Sequence, residues 1–251
     1  MTNQINHISC VIIAKDAQET ILNTLNSLKN FNDVILYINN STDDTKKIAS
    51  TFKNVNIIDG EFLGFGDTKN KAASYAKNDW ILSLDADEEL TQNLITEISN
   101  INLDNNQDVY EIKRDNYFLD KHVKYSGWGN DYLIRLYNRS IHNFNSNKVH
   151  EFIPTNNDSN VIRLKNSFKH LAVQDINQFL QKVITYSDLA AKDKKTCSII
   201  VVLSKSFFAF FKTYIIKLGF LDGWRGLVIS VSNFNGKFFR YMKRYINCIK
   251  R

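Results

Sequence analysis

The chain has one proline in 251 residues, nine glycines and three cysteines. Cys10, Cys197 and Cys248 lie far apart with no paired spacing. Neither a disulfide framework nor a zinc site is expected from them, and they suit a reducing compartment. The opening residues show no basic stretch followed by an apolar core, so no signal peptide is expected. No Gly-x-Gly-x-x-Gly follows the first strand candidate, and no Walker loop occurs. A dinucleotide-type Rossmann enzyme and a P-loop NTPase are therefore disfavoured. The net charge of +6 is modest, and a hydrophobic content of 43% can fill a sizeable core. The length fits one large domain or one domain with an appendage.

What is present begins with apolar runs of strand length: Ile8 to Ala14, Asp33 to Ile38, Val55 to Ile58 and Trp80 to Leu84. Helical spacing at Ile21, Leu22, Leu25 and Leu28 separates the first two. Ser41 or Thr42 is placed to cap a second helix running through Phe52. Gly64 to Gly66 reads as a flexible loop, and Asp67 as the cap of a third helix. This alternation predicts an α/β fold with a parallel, doubly wound sheet. After Asn100 the pattern changes. Val109 to Arg114 and Tyr132 to Tyr137 alternate, as antiparallel or edge strands do. Between them, Tyr125 to Asp131 sets glycines around Trp128 and suggests backbone close to a ligand.

The fourth run ends in carboxylates: Asp85, Asp87, Glu88 and Glu89. Open α/β sheets bind ligands at the carboxyl ends of their strands. Asp85 and Asp87, two apart in extended chain, face the same way. Paired hard oxygen ligands suit Mg²⁺ or Mn²⁺ bridging to phosphates. The plainer alternative is that these acids open the next helix. His150 alone reads as a structural histidine.

From Lys192 onward thirteen basic residues face two acids, Asp193 and Asp222, with aromatics interleaved from Phe207 to Tyr245. Gln174 to about Lys195 reads as an amphipathic helix. Ser198 to Leu218 approaches the length of a membrane span but contains Lys205, Lys212 and Lys217. A basic amphipathic segment lying in the membrane interface fits residues 198–251 better. The alternatives are core or homodimer helices, or a true span. No nucleic-acid recognition motif appears.

In order, Val11-Ile-Ile-Ala-Lys15, Ser41-Thr-Asp-Asp-Thr45, Gly64-Phe-Gly66, Lys69-Asn-Lys-Ala72, Leu84-Asp-Ala-Asp-Glu88, Gly127-Trp-Gly-Asn-Asp-Tyr132 and Val149-His-Glu151 resemble family 2 glycosyltransferases of the GT-A type. The resemblance is closest to bacterial enzymes that build the lipopolysaccharide or lipooligosaccharide inner core. It reappears at Gly219-Phe-Leu-Asp-Gly223. It implies a GT-A catalytic domain, assigned to residues 1–173, and the tail's own basic, aromatic and amphipathic pattern makes residues 174–251 a helical, membrane-interface region. The resemblance also implies a nucleotide-sugar donor, a UDP-sugar such as UDP-glucose, and a lipid-linked saccharide acceptor at the cytoplasmic face of the membrane. Asp87, Asp85 and His150 are the implied metal ligands, and Asp131 the implied catalytic base. Lys69 and Arg135 are implied phosphate contacts. Relatives carry an acid just before the Ser-Thr-Asp-Asp turn, where this chain has Ile38. Base recognition then falls to Asn39, Asn40 or Asp43. Other donors (galactose, N-acetylhexosamine or heptose nucleotides), a protein acceptor, or an inactive sugar-nucleotide-binding protein remain alternatives.

Overall fold

The computed structural model describes residues 4–147, 151–191 and 196–250. Two units emerge: Met1–Arg114 with Asp131–His170, and Asp115–Asn130 with Leu171–Arg251.

The first unit is built on a sheet. Strands β1 (Ile8–Ala14), β2 (Val34–Ile38), β3 (Val55–Asp59) and β4 (Trp80–Asp85) are parallel, in the order β3-β2-β1-β4. Helices α1 (Ile21–Ser27), α2 (Thr45–Ala49) and α3 (Phe65–Ala73) connect them. Strands β1, β2 and β4 are buried along almost their whole length, which explains their continuous apolar runs. Successive side chains serve opposite faces. Cys10, Ile12, Leu36, Leu82 and Leu84 pack with Ile21, Leu25, Leu94 and Ile98. Val11, Ile35, Tyr37 and Ile81 pack with Ala72, Ala73 and Ala76 of the α3 side. Both faces are thus covered by helices, as expected of a doubly wound sheet. Within the first core, Cys10 is fully buried, and burial with the Asp33 charge nearby holds its thiol well above the ordinary cysteine range.

Beyond β4 the sheet turns antiparallel. A short strand, β5 (Glu88–Leu90), precedes α4 (Gln92–Ser99); β6 (Asp108–Phe118), β7 (Lys121–His122), β8 (Tyr132–Asn138) and β9 (Asn160–Val173) follow. The order continues β4-β8-β6-β9-β5, with β8 antiparallel to β4 and β6, and β5 antiparallel to β9.

Three local expectations change. Glu88 and Glu89 do not open a helix; they form β5, and the α4 cap is Thr91, whose hydroxyl accepts from Leu94 N–H at 3.3 Å. Ser41 and Thr42 do not cap α2. Ser41 Oγ accepts from Asp16 N–H at 3.0 Å, and Thr42 N–H donates to Asp16 Oδ1 at 2.8 Å, tying the loop after β1 to the loop after β2. Gly66 and Asp67 lie inside α3, which starts after Gly64 at φ 104°. A side chain at Gly66 would run into the Asn145 carbonyl, so glycine here serves packing more than flexibility.

The second unit is helical. Its helices are α5 (Ile176–Ala191), α6 (Ile199–Phe211) and α7 (Trp224–Ile249). A π turn over Lys212–Ile216 and a 3₁₀ turn over Gly219–Asp222 join α6 to α7. Its core gathers Phe118, Val123, Val173 and Ile229, with Trp128 and Phe179 against them. Helices α6 and α7 run antiparallel: Asn233 Nδ2 donates to Thr213 Oγ1 at 2.9 Å, and Thr196 N–H donates to the Arg244 carbonyl at 3.3 Å. That pairing sets the start of α6 beside the end of α7, where Cys197 and Cys248 form a disulfide, Cα atoms 5.5 Å apart. The expectation of unpaired cysteines is corrected, and with it goes their argument for a reducing compartment. Sequence separation of 51 hid the pair, because only the helical hairpin closes it.

Candidate active site

The carboxyl end of β4 holds a dense set of charges. Asp85 Oδ1 lies 2.8 Å from Lys69 Nζ of α3, and its Oδ2 lies 2.8 Å from Arg135 Nη2 of β8. Arg135 also reaches Glu88 Oε1 at 2.5 Å and lies over the Phe168 ring at 5.6 Å. The Asp85 N–H donates to Glu88 Oε2 at 2.9 Å, which closes the turn after the strand. Lys69, almost wholly buried, takes Glu151 Oε1 as its second carboxylate at 2.7 Å. Buried charges persist only when paired and hydrogen-bonded, and here each is.

The electrostatics follow. Burial alone would raise Asp85, but Lys69 and Arg135 outweigh it and hold its carboxyl well below the ordinary range. Glu88 is fully buried, and burial raises its carboxyl despite Arg135, with Asp85 adding to the rise. Arg135 is raised by Glu88 and Asp85 against the lowering effect of burial.

Asp131 joins this network through Arg114 of β6. The Arg114 Nη2 and Nε atoms lie 2.8 and 2.9 Å from Asp131 Oδ2, and its Nη1 lies 3.6 Å from Glu88 Oε1. The Arg114 N–H also donates to the Asp131 carbonyl at 2.8 Å. Both backbone and side chain therefore fix the Asp131 carboxylate.

Asp87 faces a residue that local patterning does not single out. His170 Nε2 of β9 lies 3.5 Å from Asp87 Oδ2. The β5–β9 pairing sets Glu88 opposite His170 and explains the meeting across 83 positions of chain. The available signal was the spacing alone: His170 and buried Phe168 lie two apart on β9 and so serve the same face of that strand. His150 lies outside the described residues.

Lys69 and Arg135, expected at phosphates, are spent on the carboxylates around Asp85. Asp43 is also committed. Its Oδ2 accepts from Gln18 N–H at 2.9 Å, and its Oδ1 accepts from the Thr45 hydroxyl at 2.5 Å and the Thr45 N–H at 3.0 Å. These bonds hold its carboxyl low even though its partial desolvation acts to raise it. Asn39 and Asn40 follow β2 directly, Asn40 at φ 53°.

A divalent cation can be tested against the donor set. Among the described residues no group of three or more His, Cys, Asp or Glu side chains is arranged to hold a metal. The Asp87–His170 pair supplies two ligands, and ligands about 2.1 Å from a metal at right angles sit about 3 Å apart. Mg²⁺ and Mn²⁺ accept such partial protein sets when substrate phosphates complete the shell. The residues fit a cation that arrives with a diphosphate.

The glycosyl transferase family 2 model matches residues 9–171, strands β1 to β9 with the whole charged cluster. The chain belongs to glycosyl transferase family 2. An uncharacterized glycosyltransferase of Rickettsia typhi is 32% identical over 255 residues, covering 94% of this chain and 86% of the relative. One from Rickettsia prowazekii is 31% identical with the same coverage. The glycosyltransferase has the GT-A architecture, its mixed sheet carrying the acidic motif at the end of β4. Two solved structures are more distant. S. aureus TarS 1-349 in complex with UDP is 13% identical, over 97% of this chain and 92% of that one, with a TM-score of 0.48. Glucosyl-3-phosphoglycerate synthase from Mycobacterium tuberculosis, with Mn²⁺, UDP and phosphoglyceric acid, is 16% identical over 44% and 43%, with a TM-score of 0.35.

Proposed function

We propose that this glycosyltransferase moves a hexose, glucose from UDP-glucose, onto a hydroxyl of a lipid-linked saccharide such as a lipooligosaccharide inner core, inverting the anomeric centre. The observation that carries the reading is the meeting of Asp87–His170 and Asp131 through one charge network at the end of β4. Breaking the bond between sugar and diphosphate builds negative charge on the leaving group. Asp87 and His170 would hold Mg²⁺ or Mn²⁺, which would supply positive charge against that leaving group. Asp85, fixed by Lys69 and Arg135, is set to contact the donor's ribose, and Asn39 its base. Asp131, oriented by Arg114, accepts the acceptor's proton. Single displacement needs no second carboxylate beneath the anomeric carbon.

The lipid-linked acceptor is favoured by the second unit. Ile199–Ile216 is long and apolar enough to cross a membrane and is mostly exposed. Its exposed Ile200, Leu203, Phe207, Phe208 and Phe211 recur at helical spacing along one face. A span is disfavoured by Lys205 and Lys212 and by the antiparallel partner α7, which carries Lys237, Arg240, Lys243 and Arg244. Each such cation costs about 3 kcal/mol at the bilayer centre. The helices therefore lie on the inner face of the cytoplasmic membrane, basic residues toward anionic headgroups.

The decisive experiment is a donor panel with the purified protein and Mn²⁺, following release of nucleoside diphosphate. One UDP-sugar should be turned over, and Asp131→Asn should keep donor binding while losing transfer. Donor affinity without turnover would make the protein a binding module. Full turnover by Asp131→Asn would remove Asp131 as the base.

A further inference from the structure

The Gly219–Gly223 segment lies outside the family 2 match, and none of the roles above uses it. Its single carboxylate, Asp222, is directed at a loop 96 to 98 positions earlier. Asp222 Oδ1 accepts from the Lys124 N–H at 3.0 Å and the Tyr125 N–H at 3.2 Å. Its Oδ2 accepts from the Tyr125 N–H at 3.1 Å and the Ser126 hydroxyl at 2.7 Å. The Ser126 N–H in turn donates to the Lys217 carbonyl at 3.0 Å.

The backbones on both sides are shaped for this contact. Ser126 and Gly127 have φ of 58° and 84°; Leu218 and Gly223 have φ of 54° and 65°. A side chain at Gly127 would strike the Lys217 side chain, and one at Gly219 would strike the Thr213 carbonyl. Strained residues and glycines facing each other mark two turns that must meet closely. The loop is gripped at its other end too, where Asn116 Nδ2 donates to the Trp128 carbonyl at 3.0 Å and the Trp128 ring stacks on Phe118 at 6.4 Å.

The loop runs directly into Asp131. Only Gly129 and Asn130 separate Trp128 from it in sequence, three Cα steps that span at most about 11 Å. A base that takes the acceptor's proton lies against the acceptor, so the stretch of chain leading into Asp131 bears on how the acceptor is held.

We propose that Asp222 is a positioning residue for the acceptor: its carboxylate staples the Lys124–Asn130 loop to the α6–α7 turn, and the loop receives acceptor only while the staple is closed. The consequence for acceptor binding rests on the transferase reading; the staple itself does not. The full-length protein is tested with UDP-glucose and octyl glucoside as the acceptor probe. Asp222→Ala should raise the acceptor KM at least tenfold while hydrolysis of the donor by water stays within twofold. Asp222→Asn keeps an oxygen for the backbone N–H groups and should recover most of the loss. Ser126→Ala, which removes one bond, should fall between. Equal loss of hydrolysis and transfer, or an unchanged acceptor KM, overturns the proposal. Hydrogen exchange at the Lys124 and Tyr125 amides reads the staple without substrate. It should accelerate at least tenfold in Asp222→Ala while β1 and β4 amides keep their rates, and unchanged loop exchange also overturns the proposal. A wild-type protein inert toward every donor sinks the transferase reading, while the exchange result still decides the staple.

Discussion

Replacing Asp85 by Asn removes one negative charge and leaves the side chain's shape. Two cations then lose their shared partner, although Lys69 keeps Glu151 and Arg135 keeps Glu88. A charge pair near 4 Å is worth about 4 kcal/mol at an effective dielectric of about 20. Losing one member of a buried pair costs about 3–5 kcal/mol. About a third of the Asp85 side chain remains solvent-accessible and the cations keep one partner each, so the low end applies, about 3 kcal/mol at pH 7. The pH dependence has a fixed sign. The folded carboxyl is held below its unfolded value near ~3.9, so its contribution is complete above that value and is lost as pH falls toward the depressed folded one. The deficit of Asp85→Asn should therefore be constant from pH 7 to about 5 and shrink by about 1.4 kcal/mol per unit below about pH 4. Urea denaturation of both proteins from pH 7 to 3.5, followed by circular dichroism, measures this. A deficit below about 1 kcal/mol at pH 7, or one that does not shrink in acid, would refute the account of Asp85 as a charge held by Lys69 and Arg135.

Glu88 should behave in the opposite sense. Its carboxyl is raised, so its contribution is present below the unfolded value and is lost as pH rises through the folded one; Glu88→Gln should cost less than about 1 kcal/mol at pH 7 in the same denaturation series. His170→Ala should weaken Mn²⁺ binding in the presence of UDP about 10–100-fold by calorimetry, with the thermal midpoint little changed. Gly66→Ala should destabilise by about 1–3 kcal/mol, because the Asn145 carbonyl must move aside. Ile229→Ala, in the core of the helical unit, should cost about 2–5 kcal/mol, visible as a lower urea midpoint.

Strands β1, β2 and β4 were legible because burial on both faces writes itself as an almost uninterrupted apolar run, half-exposed β3 was legible from its shorter Val55–Ile58 run, and all four observed ends lie within a residue of those runs. The strand end at Asp85 was legible for a related reason, while Asp87 lies in the turn beyond it, where Asp85 turns to Lys69 and Arg135 and Asp87 to His170. Glu88 was misread because acids open helices as readily as they enter buried ion pairs. Only the Arg135 partner, 47 positions away, separates the two cases. The same distance problem hid Lys69–Glu151, Asp87–His170 and Cys197–Cys248. Each depends on which strands or helices become neighbours, and local periodicity carries no such information. Glycine was misjudged at position 66 because packing against a carbonyl and freedom in a loop call for the same residue.

The buried thiol of β1 makes the enzyme its own reporter. Cys197 and Cys248 are joined, so among the described residues Cys10 is the one free cysteine. Sealed in the sheet and held protonated, it cannot be alkylated until β1 separates from β2 and β4. Its modification rate under native conditions thus measures how often the centre of the catalytic sheet opens, and its acceleration or slowing by a bound donor would count, molecule by molecule, how firmly the ligand closes that sheet.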